Sequence, residues 1–228
     1  MNVDTEEFEN GVRIRCISTF DSDIVIPFEI DGRKVTSLGD RFLLNVRGNG
    51  THTLKIPSSV IDVTQDAFTG SPGIVGIEYD GELETFCGFK IMLDSECRLR
   101  CSFNGEPYEF TFPAKSIMSF PEFDDNLISS NIGISEETVL SRLSKPALLT
   151  DENEKRYRGF MRERIFPRAE HAVVSGNISD LKGMEKAGML DDGILQSLLE
   201  RSISSGKTGV TSVLMSMVRK RYLKRDLP

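Results

Sequence analysis

Histidine is nearly missing from this chain: 228 residues contain two, His52 and His171. Zinc sites gather three or four closely placed ligands, and acid–base catalysis relies on histidine more than on any other side chain. His52 sits in a polar loop, Gly50-Thr51-His52-Thr53, and His171 lies between Glu170 and Ala172 on a predicted helix. Both read as solvated or structural, so no catalytic residue, metal site or cofactor is expected. Cysteine is also sparse, at positions 16, 87, 97 and 101, with no C-x-x-C pair. On one strand, Cys97 and Cys101 would lie about 13 Å apart, too far to bridge, so reduced buried thiols are expected. Long apolar runs are missing too. None approaches the roughly 20 residues that span a bilayer, so membrane insertion is not expected. The opening MNVDTEEFEN is acidic where a signal peptide would be basic and then apolar. A cytoplasmic protein is therefore expected; a chain trimmed of its leader would read the same, which keeps the cell surface open.

Short motifs add no chemistry. Gly206-Lys207-Thr208 looks like the tail of a phosphate-binding loop, but Arg201 stands where its first glycine belongs, and a helix precedes it instead of a strand. Ser204-x-x-Lys207 lacks the partner motifs of penicillin-recognising enzymes. Asp124-Asp125 and Asp191-Asp192 read as a linker charge and a helix cap.

What is present is ordinary globular composition, 39% apolar and 28% charged, with unevenly placed charge. Residues 1–134 hold 22 acids and 11 bases, a net −11, and residues 135–228 hold 13 acids and 17 bases, a net +4. Two units with different surfaces are expected. The acidic first one is a poor match for phosphate.

The first part repeats. Ile24-Val25-Ile26-Pro27 returns as Leu54-Lys55-Ile56-Pro57, and Ile77-Glu78-Tyr79 repeats the apolar-variable-apolar core. The steps are 30 and 23 residues. Val35–Phe42 aligns with Ile61–Phe68 at an offset of 26, and Asp31-Gly32-Arg33-Lys34 fits a turn-like insertion in the longer copy. One short strand per unit of about 23 residues is the pattern of a leucine-rich-repeat solenoid. Ile24, Ile26, Leu54, Ile56, Ile77 and Tyr79 would stack inward, and Phe42 and Phe68 would stack on the convex side. Val12–Ile17 would cap the front. Leu99–Phe103, Asn104-Gly105 and Tyr108–Phe112 read as a hairpin over the far edge. Residues 114–134, broken by prolines, serines and acids, read as a linker.

The stretches DIVIPFEIDGRKVTSLGDRFL and LKIPSSVIDVTQDAFTGSPGIVGIEY resemble the BspA-like leucine-rich repeats of bacteria, with Ile56-Pro57-Ser58-Ser59-Val60 and Asp66-Ala67-Phe68 as the nearest matches. The first copy departs, with Arg41-Phe42 in place of Ala-Phe. The resemblance covers residues 24–79 and implies a binding role, often at bacterial surfaces.

Beyond residue 134 the periodicity turns helical. Ser135-Glu136-Glu137 opens one helix, Asp151 is expected to cap a second reaching Phe166, and Pro167 to start a third. Further helices are predicted over 178–187, 194–205 and 208–222. Gly176, Ala172, Met184 and Ala187 recur 30 residues later as Gly206, Ser202, Leu214 and Met217. This short-helix, glycine-turn, second-helix pattern resembles ankyrin repeats, although their T-P-L-H element is absent.

The fold class expected is α+β: a short leucine-rich-repeat β-solenoid (1–113), a linker (114–134) and an all-α, ankyrin-like helical domain (135–228). The function expected is a non-enzymatic protein–protein interaction module, with a protein partner of unknown identity. Its surface would use the outward strand residues Val25, Thr53, Lys55 and Glu78, with Gly76 beside them, and the basic helix residues Arg158 and Arg162. Lys155, Arg158 and Arg162 share a helix face, and Arg219, Lys220, Arg221, Lys224 and Arg225 crowd the C-terminus. The alternative is therefore a nucleic-acid-associated adaptor working through the basic helices.

Overall fold

The alternation of apolar and polar residues is realised as short strands wound between two sheets. In order they are β1 (Asn2–Phe8), β2 (Gly11–Thr19), β3 (Asp23–Val25), β4 (Glu29–Ile30), β5 (Arg33–Leu38), β6 (Asn45–Val46), β7 (His52–Ile56), β8 (Asp62–Val63), β9 (Ile74–Glu82), β10 (Cys97–Phe103) and β11 (Glu106–Phe112), with a short helix α1 (Leu83–Gly88) after β9. This computed structural model describes residues 1–48, 50–129 and 134–225, excluding the side chains of 224 and 225. The chain divides into two units, Met1–Phe123 and Asp124–Pro228.

One sheet runs in the order β11-β10-β9-β7-β3. Its register carries the sequence repeat. Ile24 lies beside Leu54 and Leu54 beside Ile77, as steps of 30 and 23 require. A fourth parallel rung follows at Leu99, and Phe110 completes the row from antiparallel β11. All five residues of this row are at most 1% exposed. Pro27 and Pro57 stand just past their strands, where a residue without an N–H costs no ladder bond. The β10–β11 turn is Asn104-Gly105, with φ of 53° and 76°. Both central residues of this tight hairpin turn need positive φ, which asparagine and glycine tolerate.

The second sheet is built around β2, which pairs antiparallel with β1 and parallel with β5 and β6. The segment Val12–Ile17, expected to cap the front, is thus an internal strand of this sheet. Its partner β5 also pairs with β8, Ser37 opposite Asp62 and Leu38 opposite Val63. That is an offset of 25, one less than the sequence alignment. The offset of 26 returns at Phe42 and Phe68, whose rings meet edge to face at 5.4 Å. The difference is taken up between Val63 and Phe68. A two-residue strand such as β8 leaves backbone pairing weakly specified, so the aromatic contact decides.

The stretch expected to be a linker is largely structured. Ile117 bridges Met92, and Met118, Phe120 and Phe123 are buried. Phe120 and Phe123 join Phe110 and Phe112 in an aromatic cluster, with centroid separations of 4.8–5.8 Å. Helix α2 (Glu122–Ser129) follows, and residues 130–133 lie outside the described residues. The prolines and serines that break periodicity here did not prevent burial of the aromatics between them.

The second unit holds α3 (Glu136–Ser144), α4 (Asp151–Met161), α5 (Ile165–Ser175), α6 (Ile178–Lys186), α7 (Asp192–Ser204) and α8 (Thr208–Arg225). Ser135, Asn177 and Asp191 cap α3, α6 and α7 through side-chain oxygens. Thr150, not Asp151, caps α4 by accepting from the Asn153 amide. α4 stops at Met161, five residues earlier than predicted. Pro167 lies in the first turn of α5, and its ring cannot share space with a helical carbonyl four residues back, so the break falls ahead of it.

α5–α6 and α7–α8 are two copies of one design. Gly176 and Gly206 both adopt the left-handed conformation, at φ 79° and 65°. The next amide bonds back five residues in each, Asn177 to Ala172 at 2.8 Å and Lys207 to Ser202 at 3.0 Å. α5 packs on α6 and α7, and α8 on α7 and α6, which stacks one pair upon the other.

Leu54 and Lys55 are neighbours on opposite faces of β7, so truncating them separates core from surface. In urea denaturation followed by circular dichroism, Leu54→Ala is expected to cost about 2–5 kcal/mol and Lys55→Ala less than about 1 kcal/mol. Equal losses would mean that the ladder does not carry the stability of this unit.

Candidate functional site

Side chains on alternate positions of a strand point to opposite faces, so the residues between the buried rungs form an outward surface. Pairing sets them in rows. Val25 lies beside Lys55, Lys55 beside Glu78, Glu78 beside Arg100 and Arg100 beside Glu109. The neighbouring row is Asp23, Thr53, Gly76, Arg98 and Thr111. Val25 is 52% exposed, and Thr53, Lys55 and Glu78 are exposed as well. Four of the six residues singled out in the sequence are thus together on one face. A Cβ at Gly76 would sit 3.3 Å from the Thr53 methyl, so glycine keeps the second row flat there.

Charge alternates across this face. Arg100 bridges two strands by donating to Glu78 at 3.0 Å and to Glu109 at 3.2 Å. Those bonds, Glu78 first, raise the Arg100 pKa above its ordinary value. Arg98 donates to Glu109 at 2.6 Å, the Lys55 ammonium lies 3.7 Å from Asp80, and Thr53 donates to Asp23. Arg98, Arg100, Asp80 and Glu109 were missed in the sequence. Their signal was there: Arg98 and Arg100 alternate with Cys97, Leu99 and Cys101, the same strand pattern as in the recognised rungs.

Arg158 and Arg162 belong to the second unit. Arg158 donates to Glu154 at 2.8 Å and to the Gly188 carbonyl at 3.3 Å, while Arg162 is the exposed C-cap of α4. The surrounding cations are largely engaged. Arg156 pairs with Glu152, and Arg221 pairs with Glu185 and Asp192. Arg168 is held by Asp180, Glu136 and Glu137; burial works against its charge, yet these acids lift its pKa well above normal. A phosphate backbone would have to displace these carboxylates, so the basic stripe is a weaker anion surface than its sequence suggests. Lys224 and Arg225 fall outside the described side chains.

His52, placed in a polar loop by the sequence reading, begins β7 and is 3% exposed. Its Nδ1 lies 3.1 Å from the Asp21 carbonyl, and its Nε2 is buried without a hydrogen bond. His171 is exposed on α5. Among the described residues, no group of three or more His, Cys, Asp and Glu is placed to hold a metal, and no helix is long and apolar enough to cross a membrane. Burial pushes the Cys97 and Cys101 thiols up to about 12, so neither is an activated nucleophile.

Comparison with protein-family models, curated proteins and solved structures gives no match.

At pH 8, Cys97 and Cys101 carry about a thousandfold less thiolate in the folded chain than in the unfolded one. Alkylation mapped by mass spectrometry is expected to spare both until urea is added; rapid labelling of either in the native state contradicts the assignment. An unfolded thiol ionises near 9 and these fold-protected ones near 12, so folding stability is expected to fall as pH rises through that interval.

Proposed function

We propose that this chain is a non-enzymatic protein-interaction module. In this reading the first unit is a leucine-rich-repeat solenoid of the BspA-like kind, and the second is a short ankyrin-like stack of helix pairs. The observation that carries the reading is the outward row Val25–Lys55–Glu78–Arg100–Glu109, exposed except for the half-buried Glu109, which crosses five hydrogen-bonded strands. Strands about 4.8 Å apart hold such side chains at fixed spacing on a rigid backbone. A protein surface with charges at matching intervals could pair with all of them at once.

The charges on this face are satisfied internally but held weakly. Exposed ion pairs contribute about 0–1 kcal/mol each, so a partner that offers equivalent carboxylates and cations can replace them at little cost. Val25 adds an apolar anchor at one end of the row. The repeats in the second unit support the same reading, since stacked helix pairs also present extended surfaces.

The test is a comparison of two baits. The wild-type chain and a Lys55→Glu, Arg100→Glu variant are immobilised, exposed to native lysate, and the retained proteins are quantified by mass spectrometry. A specific partner is expected to fall by about tenfold or more on the variant, while circular dichroism stays unchanged because both positions are exposed. Identical retention on the two baits would remove this face as the binding surface.

A further inference from the structure

We propose that helix α2 couples the folding of the two units, so that neither unfolds without the other. Two neighbouring residues of this one helix serve different cores. Phe123 is 2% exposed and packs its ring against Phe110, Phe112 and Phe120 of the first unit, with centroids 5.7, 5.1 and 5.8 Å apart. The next residue, Asp124, is fully buried and belongs to the second unit, where its carboxylate accepts from Arg142 and from Tyr157.

The residues on either side repeat the division. Ahead of Phe123, the Glu122 carboxylate lies 2.6 Å from the Lys90 ammonium, and the Phe123 amide donates to the Ser119 carbonyl at 2.7 Å, with both partners in the first unit. Past Asp124, Asp125 accepts from the Asn153 side chain at 2.8 Å, and Leu127 and Ile128 pack against the core of the second unit.

α2 has only eight residues. A helix this short is marginal in water on its own propensity and takes its stability from tertiary contacts. Its start draws those contacts from one unit and its remainder from the other, so disorder in either unit withdraws part of the support. An α2 that frays pulls Phe123 out of the aromatic cluster, or leaves Arg142 as a buried charge without its carboxylate. Coupling of this kind is reciprocal: whatever stabilises one unit, a bound partner included, stabilises the other.

The experiment is urea denaturation of the full chain, with each unit read separately by pulsed hydrogen exchange and mass spectrometry of peptides from β7 and β9 and from α5 and α6. The two midpoints are expected to coincide. Tyr157→Phe removes one donor from Asp124 and keeps the ring. It is expected to lower the folding equilibrium constant about fivefold and to move both midpoints together, although the substitution lies in the second unit. A Gly-Ser-Gly-Ser insertion between Phe123 and Asp124 interrupts α2 with flexible backbone. In that chain the midpoints are expected to separate, and the first unit to become insensitive to Tyr157→Phe. Separate midpoints in the uninterrupted chain overturn the proposal. So does a first unit whose midpoint ignores Tyr157→Phe there, or an insertion that leaves the two midpoints coincident.

Discussion

No coil of the first unit can keep water from its own aliphatic side chains, and this constraint shapes everything built on it. Ile24, Leu54, Ile77, Leu99 and Phe110 are each covered by the rung beside them. A row made this way has two ends, and the chain treats both. β3 is only three residues long and carries Asp23, while β11 carries Pro107 and the charges of Glu106 and Glu109. In the second sheet the outer strand β1 bears Asp4, Glu6 and Glu7. Short length, proline and repeated charge are the devices that keep a free sheet edge from recruiting another strand.

The second unit meets its own constraint in a different way, around a buried charge. Asp124 and Arg142 are both fully buried. Arg142 grips the carboxylate with two bonds, at 2.8 and 3.0 Å, and spends its other donors on the Lys145 and Ala147 carbonyls. Tyr157 donates to the same carboxylate at 2.8 Å; burial, then the charge of Asp124, pushes its phenol far above the ordinary range, so it remains a donor. Desolvating an ion pair is costly, and such a pair persists where its remaining hydrogen-bonding capacity is filled, as here. The network ties α2, α3, α4 and the turn between the last two together.

The sequence disclosed what is periodic and hid what is not. Steps of 30 and 23 residues reappear as strand register, and Asn104-Gly105 as a hairpin turn, because each depends on local pattern and local backbone preference. The burial of Phe120 and Phe123 was not legible: it depends on Phe110 and Phe112 being brought near by a hairpin, a long-range fact. Nor was the pairing of Asp124 with Arg142, 18 residues away, since a doubled aspartate in a polar stretch looks the same whether solvated or buried. At the candidate surface, Val25, Thr53, Lys55 and Glu78 were legible as the outward half of an alternation. Arg98, Arg100 and Glu109 were overlooked because their strands were read as a cover for the edge, when β10 is itself a rung.

The electrostatic shifts among the described residues share one sense. Tyr79, Cys97 and Cys101 are all shifted upward to about 12 chiefly because they are buried. Arg100, Arg168 and Arg221 are shifted upward by nearby carboxylates. Each shift deepens the ordinary protonation state: phenol and thiols stay neutral, guanidinium groups stay charged. Catalytic groups are tuned in the opposite sense, toward the working pH, so that a proton or an electron pair can move. Shifts that fix a state keep the charge of these side chains constant across the physiological pH range.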